Sequence, residues 1–173
     1  YRKKILITGG SGFIGSCFAK FIKEKYKIYT LDKKNKNPFL KDKSITHIKC
    51  NICNYNSLNR ILNIIKPEIV IHLAAQSTLD FITMKKKYYK KNNIVGTKNI
   101  VEITKKLNVE KFIFASTASV YKTKNKKLRE NDKLLPNNIY GKTKKSNEDY
   151  IQKNFKNSKV KFCILRFFNV CSS

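Results

Sequence analysis

The sequence predicts an α/β fold, a doubly wound parallel sheet with helices on both faces. Three observations carry that expectation. Short apolar runs alternate with longer segments of helical spacing along all 173 residues, the rhythm of repeated strand–helix–strand crossovers. The runs at 5–7 and 68–73 are nearly continuous in apolar residues, as strands covered on both faces require. Residues 1–32 read as strand, glycine turn, helix, strand, acid.

The elements follow in order. Ile5, Leu6 and Ile7 make the first strand, and Gly9-Gly10-Ser11-Gly12-Phe13-Ile14-Gly15 follows at once. A helix then runs to about residue 25, with Phe13, Ile14, Cys17, Phe18, Phe21 and Ile22 at helical spacing. A second strand at 27–31 ends in Asp32, and the polar, lysine-rich stretch 33–43, with Pro38, is a loop. A third strand at 45–50 leads to a helix capped by Asn54, carrying Leu58, Ile61, Leu62 and Ile65 and stopped by Pro67. After the strand at 68–73, a long helix at about 88–108 buries Ile94, Val95, Ile100, Val101, Ile103 and Leu107. A fifth strand at 111–115, a helix at 138–156 and a sixth strand at 160–165 complete the pattern. No internal repeat or low-complexity linker divides the chain, so 1–173 reads as one domain.

The glycine turn has a chemical reading. Glycines at 9, 12 and 15 allow a sharp turn, admit a pyrophosphate against bare backbone and bring helix close to strand. The first free N–H groups of the helix then hold the phosphates. Asp32, 17 positions after Gly15, stands near the expected offset of about 20, where a carboxylate accepts from both ribose hydroxyls. Its charge repels a 2′-phosphate, so the expected cofactor is NAD rather than NADP; Lys33 beside it blurs that preference. The whole unit is the Rossmann-like dinucleotide site.

Charge is the largest compositional signal, with 38 Lys+Arg against 11 Asp+Glu and a net charge of +27. Only Arg2, Arg60, Arg129 and Arg166 are arginine, whereas phosphate-reading surfaces recruit the bidentate guanidinium. The run 85–91 would wrap lysine around most of a helix, and 122–127 lies in a polar loop, so both read as solvated surface. No specific nucleic-acid role is expected. No apolar stretch approaches the ~18 residues of a membrane span and no signal peptide is evident, so the expectation is a cytoplasmic protein without a membrane partner. The five cysteines are scattered, and Cys50-Asn51-Ile52-Cys53 lacks a second pair, so neither disulfides nor a metal is expected.

Strand five ends in Ser116-Thr117-Ala118-Ser119-Val120-Tyr121, at the sheet edge where such folds bind ligands. Tyr140 and Lys144 follow on a helix, one turn apart on the same face. An ammonium beside a phenol lowers the phenol's pKa and makes a tyrosinate accessible nearer neutrality. His72, inside an apolar strand, reads as a packed, hydrogen-bonded core residue.

The chain resembles the extended short-chain dehydrogenase/reductases, the NAD-dependent epimerase/dehydratase family, and among them most the UDP-glucose 4-epimerases. The resemblance rests on Thr8 to Ser16, Val70-Ile71-His72-Leu73-Ala74-Ala75, Asn93-x-x-Gly96-Thr97, Ser116 to Tyr121, Tyr140-x-x-x-Lys144 and Leu165-Arg166-Phe167-Phe168-Asn169-Val170, in order along the chain. It implies that Tyr140 is the general base at the sugar 4-hydroxyl, that Thr117 hydrogen-bonds the same oxygen, and that Lys144 holds the nicotinamide ribose. Hydride leaves C4 for NAD⁺ and returns to the other face of a 4-keto sugar. Besides the glycine turn, the residues implied to line NAD are Phe13, Ile14, Asp32, Asn51, Ile52, Leu73, Ala74, Ala75, Asn93 and Phe168. Asn169 would reach the nucleotide sugar, a UDP-hexose.

Single residues weigh the neighbouring chemistries. By the resemblance, 4,6-dehydratases carry an acidic pair after the catalytic Thr; here Ala118 and Ser119 stand there, which do no acid/base work at neutral pH. Uronate 4-epimerases stay open, since Thr143 to Glu148 also looks like theirs, while Asn169 leans toward a neutral hexose. Asn51 replaces an acid that meets the adenine amino group in the family, and Lys122 and Cys171-Ser172-Ser173 replace glycine-containing segments. In the family a second lobe follows the point reached at Ser173, so the expectation is the NAD half of an epimerase. A short chain that binds NAD without turnover is the alternative. The family also pairs its two long helices in a homodimer, an arrangement the many lysines here would weaken.

Overall fold

The computed structural model describes residues 1–33, 42–76, 90–122 and 127–171. Most of the 33–43 loop and of the 85–91 and 122–127 lysine runs lies outside the described residues. In order come β1 (Lys4–Thr8), α1 (Phe13–Ile22), β2 (Lys27–Asp32), β3 (Ile45–Lys49), α2 (Tyr55–Ile65), β4 (Ile69–His72), α3 (Gly96–Lys106), β5 (Lys111–Thr117), α4 (Ile139–Phe155) and β6 (Lys161–Phe167). A π-helical turn, Lys90–Val95, leads into α3, and a 3₁₀ turn, Ala118–Val120, follows β5.

All six strands pair in parallel in the order β3-β2-β1-β4-β5-β6. The order reverses between β1 and β4, and such a reversal opens a crevice at the carboxyl ends of the strands. The doubly wound class expected from the sequence is therefore observed.

The continuous apolar runs have a direct cause, since alternate residues of one strand enter different cores. Ile5 and Ile7 pack with Ala19, Ile22, Ile28 and Ile71 beneath α1. Leu6 packs with Leu31, Leu58, Val70, Phe112 and Phe114 on the opposite face. Phe112, Phe114 and Phe155 are the largest fully buried side chains, each contributing on the order of 1.5–3 kcal/mol by leaving water.

Local signals set the helix ends. Asn54 Oδ1 accepts from Ser57 N at 3.1 Å, and Asn138 Oδ1 accepts from Gly141 N at 2.7 Å, capping α2 and α4. Lys66 takes a left-handed φ of 48° and Pro67 cannot continue the helix, so α2 stops there.

Three expectations are corrected. The first helix ends at Ile22 rather than near 25, and the face it buries is Gly15, Ser16, Ala19 and Ile22. Small residues there let α1 lie close to the sheet, so Phe13, Phe18 and Phe21 stay exposed, Phe21 at 84%. Val95, expected inside, is 43% exposed, because the wider π turn shifts the helical phase and faces Asn93 inward instead. The fifth and sixth strands each run two residues further than their apolar patterns, because Ser116 pairs with Arg166 and Thr117 with Phe167 in the ladder.

Candidate active site

The glycine turn sits between β2 and β4. Gly9 N donates to Leu31 O at 2.8 Å, and its φ of +74° is one that side chains rarely adopt. A β-carbon at Gly9 would lie 2.8 Å from Ala74 N, so only glycine lets the turn rest against the loop after β4. Ser11 N donates to Asp32 Oδ2 at 3.2 Å, tying the turn to the end of β2. The α1 N-terminus begins at Gly12 with no side-chain cap and no acid in its first turn. Ser11 Oγ is buried there without a hydrogen-bond partner. A backbone cradle, a free helix end and an orphaned hydroxyl suit a phosphate-bearing ligand.

A cleft of about 750 Å³ runs from that turn along the carboxyl edge of the sheet. Gly9, Gly12, Phe13, Ile14 and Gly15 form its floor, with Asp32, Asn51 and Ile52 at the β2–β3 end. Leu73, Ala74 and Ala75 supply one wall, and Thr117, Tyr140, Lys144, Phe168 and Asn169 surround the other end. The structure thus gathers every sequence-derived candidate but one into a single crevice.

The exception is Asn93, which lies one layer behind. It is buried, its Oδ1 accepts from Gln76 N at 2.8 Å, and its Nδ2 donates to Gln76 O at 3.1 Å and Thr143 Oγ1 at 3.3 Å. It therefore braces the wall loop against α4. Asn51 Oδ1 accepts from Cys53 N at 3.0 Å, which leaves that carbonyl oxygen a second lone pair.

The α4 N-terminus carries Tyr140 to the end of β5. Gly141 makes this possible, since a β-carbon there would lie 2.2 Å from Ser119 O. Thr117 Oγ1 accepts from Ser119 N at 3.2 Å, which fixes its rotamer as it caps the 3₁₀ turn. Lys144 Nζ donates to Ala115 O at 2.5 Å and lies 4.6 Å from the Phe114 ring centroid and 5.8 Å from that of Tyr140.

Burial decides both ionisations. It pushes the Tyr140 phenol above its ordinary range, and it pulls the Lys144 ammonium down to about 7, opposed by the charge of Glu148. The ammonium points at Ala115 O, and desolvation of the phenol is what raises it.

His72 is fully buried, stacked on Phe114, with Nδ1 2.6 Å from Thr8 Oγ1 and Nε2 2.9 Å from Thr97 Oγ1. Thr8 Oγ1 also accepts from Ala74 N and Thr97 Oγ1 from Asn147 Nδ2, so each ring nitrogen meets a threonine hydroxyl that the fold holds in place. Burial depresses its pKa to about 3, so at neutral pH it is an uncharged core group.

Sequence reasoning missed several contributors. Gln76 and Asn92 also line the crevice, signalled only by adjacency to motif residues, and Ser116 and Phe167 line it from within motifs that gave them no role of their own. It gave no role to the ion pair of the buried Glu148 with the half-buried Arg166, 2.8 Å apart and on different elements. Among the described residues, no helix is long and apolar enough to cross a membrane.

The crevice can be set beside known proteins. A family model described as the NAD-dependent epimerase/dehydratase family matches residues 5–173. A dTDP-D-glucose 4,6-dehydratase of Dictyostelium discoideum is 34% identical over 192 residues, covering 98% of this chain and 44% of the relative. A UDP-glucose 4-epimerase of Mycoplasma genitalium is 32% identical over 183 residues, covering 99% of this chain and 54% of the relative. The UDP-glucose 4-epimerase of Thermotoga maritima, solved with UDP-glucose, has a TM-score of 0.86 at 31% identity, over 94% of this chain and 54% of that one. The chain spans about half the length of the curated relatives it matches.

Proposed function

The chain belongs to the NAD-dependent epimerase/dehydratase family, and from that premise we propose that it forms the cofactor-binding and proton-transfer part of a nucleotide-sugar 4-epimerase acting on a UDP-hexose. The observation that carries the choice of epimerase over dehydratase is the carboxyl end of β5, where Ala118 and Ser119 follow Thr117. Moving a proton on and off C5 and C6 needs acid/base side chains there, and a methyl group and a hydroxyl do not supply them.

The residues present fit NAD. Gly9, Gly12 and the α1 N-terminus would hold the pyrophosphate, Ser11 Oγ would donate to it, and Asp32 would accept from the adenosine ribose. NAD, when bound, supplies the hydride acceptor and donor for a 4-keto sugar and a positive ring charge. Lys144 would hold the nicotinamide ribose. Tyr140 takes the proton of the sugar 4-hydroxyl and returns it on the way back, and Thr117 orients the same oxygen by hydrogen bonding. A phenol held above its ordinary pKa suits the returning step directly. The forward step draws on added positive charge beside it, from Lys144 and the cofactor ring.

The uronate reading rested on Thr143 to Glu148. In the fold, Thr143, Asn147 and Glu148 are buried in packing, with Asn147 Nδ2 donating to Asn93 O at 2.7 Å, and they do not line the crevice. Asn169, exposed at the crevice, is the group on this chain that favours a neutral hexose.

Incubation of the protein with UDP-galactose and NAD⁺, followed by chromatography of the nucleotide sugars, tests this reading. A mixture of UDP-galactose and UDP-glucose is expected. Accumulation of a dehydrated 4-keto-6-deoxy sugar from a nucleotide hexose would overturn it.

A further inference from the structure

Behind Tyr140 and Lys144 lies a connected polar cluster that the site description leaves without a role. Arg166 Nε stands 3.2 Å from each Glu148 carboxylate oxygen, and Nη2 stands 2.8 Å from Oε2. Arg166 Nη1 donates to Tyr121 Oη at 2.7 Å and to Glu130 O at 2.8 Å. The Ser116 hydroxyl donates to Glu148 Oε1. Glu148 is 1% exposed and follows Lys144, 2% exposed, by one helical turn on the same face.

We propose that Glu148 is a positioning residue for the reaction centre: it sets a buried carboxylate one helical turn from Lys144, and through Ser116 it anchors the strand end that carries Thr117. The inference rests on the reading of Tyr140 and Lys144 as the reacting pair, and it concerns how this chain holds them.

The physical argument is one of charge. A buried ammonium and a half-buried guanidinium in one cluster favour a carboxylate beside them, because positive charge is costly to take out of water alone. Arginine does not surrender its proton, so lysine is the group that yields when the carboxylate is removed. The other ionisable groups around Lys144 are Tyr140 on α4, whose phenol burial holds above its ordinary range, and His72 on β4, uncharged near neutrality, while Tyr121 after β5 accepts from Arg166. Glu148 and Arg166 are therefore the ion pair of the cluster, and the Glu148 charge works against the burial that pulls the Lys144 pKa down. The same carboxylate takes the Ser116 hydrogen, so one side chain fixes both the charge and the geometry.

The test reads Lys144 itself. Trace acetylation of the chain at a series of pH values, followed by peptide mass spectrometry, gives the midpoint at which Lys144 becomes nucleophilic. In the wild type it is expected near 7. Glu148→Gln is expected to lower it by about one unit or more, and Arg166→Met to raise it, because the carboxylate then faces Lys144 unopposed. The double variant removes one charge of each sign and is expected to return toward the wild-type value. Simple disruption of packing does not move the midpoint in opposite directions. If Glu148→Gln fails to fold, the direction in Arg166→Met decides. An unchanged midpoint in either folded variant overturns the proposal. NAD⁺ affinity of the wild-type chain is measured alongside, so that failure of the cofactor reading is seen separately.

Discussion

Gly141 lies so close to Ser119 that a β-carbon on it would stand 2.2 Å from the Ser119 carbonyl oxygen. That contact seats the first turn of α4 on the 3₁₀ turn after β5 and brings Tyr140 beside Thr117 in the crevice. Gly141→Ala is expected to push the two elements apart, at a cost of about 1–3 kcal/mol in stability. Urea unfolding measures the loss. Because α4 also carries Lys144, NAD⁺ affinity should fall in the same variant. An alanine variant as stable as the wild type would show that the two turns separate freely.

Asp32 joins the glycine turn through Ser11 N and closes one end of the crevice. Asp32→Ala removes the acceptor for the ribose hydroxyls and the charge that repels a 2′-phosphate. NAD⁺ affinity is expected to fall by about tenfold or more, equivalent to roughly 1.5–3 kcal/mol for a hydrogen bond to a charged group. NADP⁺ binding should fall less or improve. Calorimetric titration of both dinucleotides gives the ratio, and an unchanged preference would remove Asp32 from the discrimination.

The buried His72 gives a sign for the pH dependence. Its folded pKa is depressed to about 3, below an unfolded value of about 6.5. The unfolded chain therefore binds the proton first, and the stability contribution present above pH 6.5 is lost as pH falls toward 3. In that window His72 contributes a slope of about 1.4 kcal/mol per pH unit. His72→Gln keeps a donor and an acceptor without titrating, so its unfolding free energy should fall less steeply than wild type between pH 6.5 and 4. Parallel curves for the two proteins would contradict the buried, neutral assignment.

Much of this architecture was legible because its signals are local. The glycine turn, the Asn54 cap, the Pro67 stop and the one-turn spacing of Tyr140 and Lys144 each lie within a few consecutive residues. The apolar runs of β1 and β4 mark burial on both faces, which is what a central parallel strand experiences. What stayed hidden depends on partners distant in sequence. The inner face of α1 is set by how closely the helix lies on the sheet, so Gly15 and Ala19 face inward while Phe18 and Phe21 do not. The π turn before α3 turns Asn93 toward Gln76 and Thr143, and no periodicity announces it. The Glu148–Arg166 pair spans 18 positions and joins a helix to a strand, so only the fold brings it together. The phenol's pKa also depends on burial, which the spacing of Tyr140 and Lys144 does not report.

The measurement that bears most directly on this account is calorimetric titration of NAD⁺ into the chain, beside its Lys144→Ala and Tyr140→Phe variants. The expected result is saturable binding by the wild type, weakened about tenfold or more by Lys144→Ala and changed little by Tyr140→Phe. Absence of binding by a chain whose circular dichroism shows it folded would contradict the assignment of the crevice as a dinucleotide site.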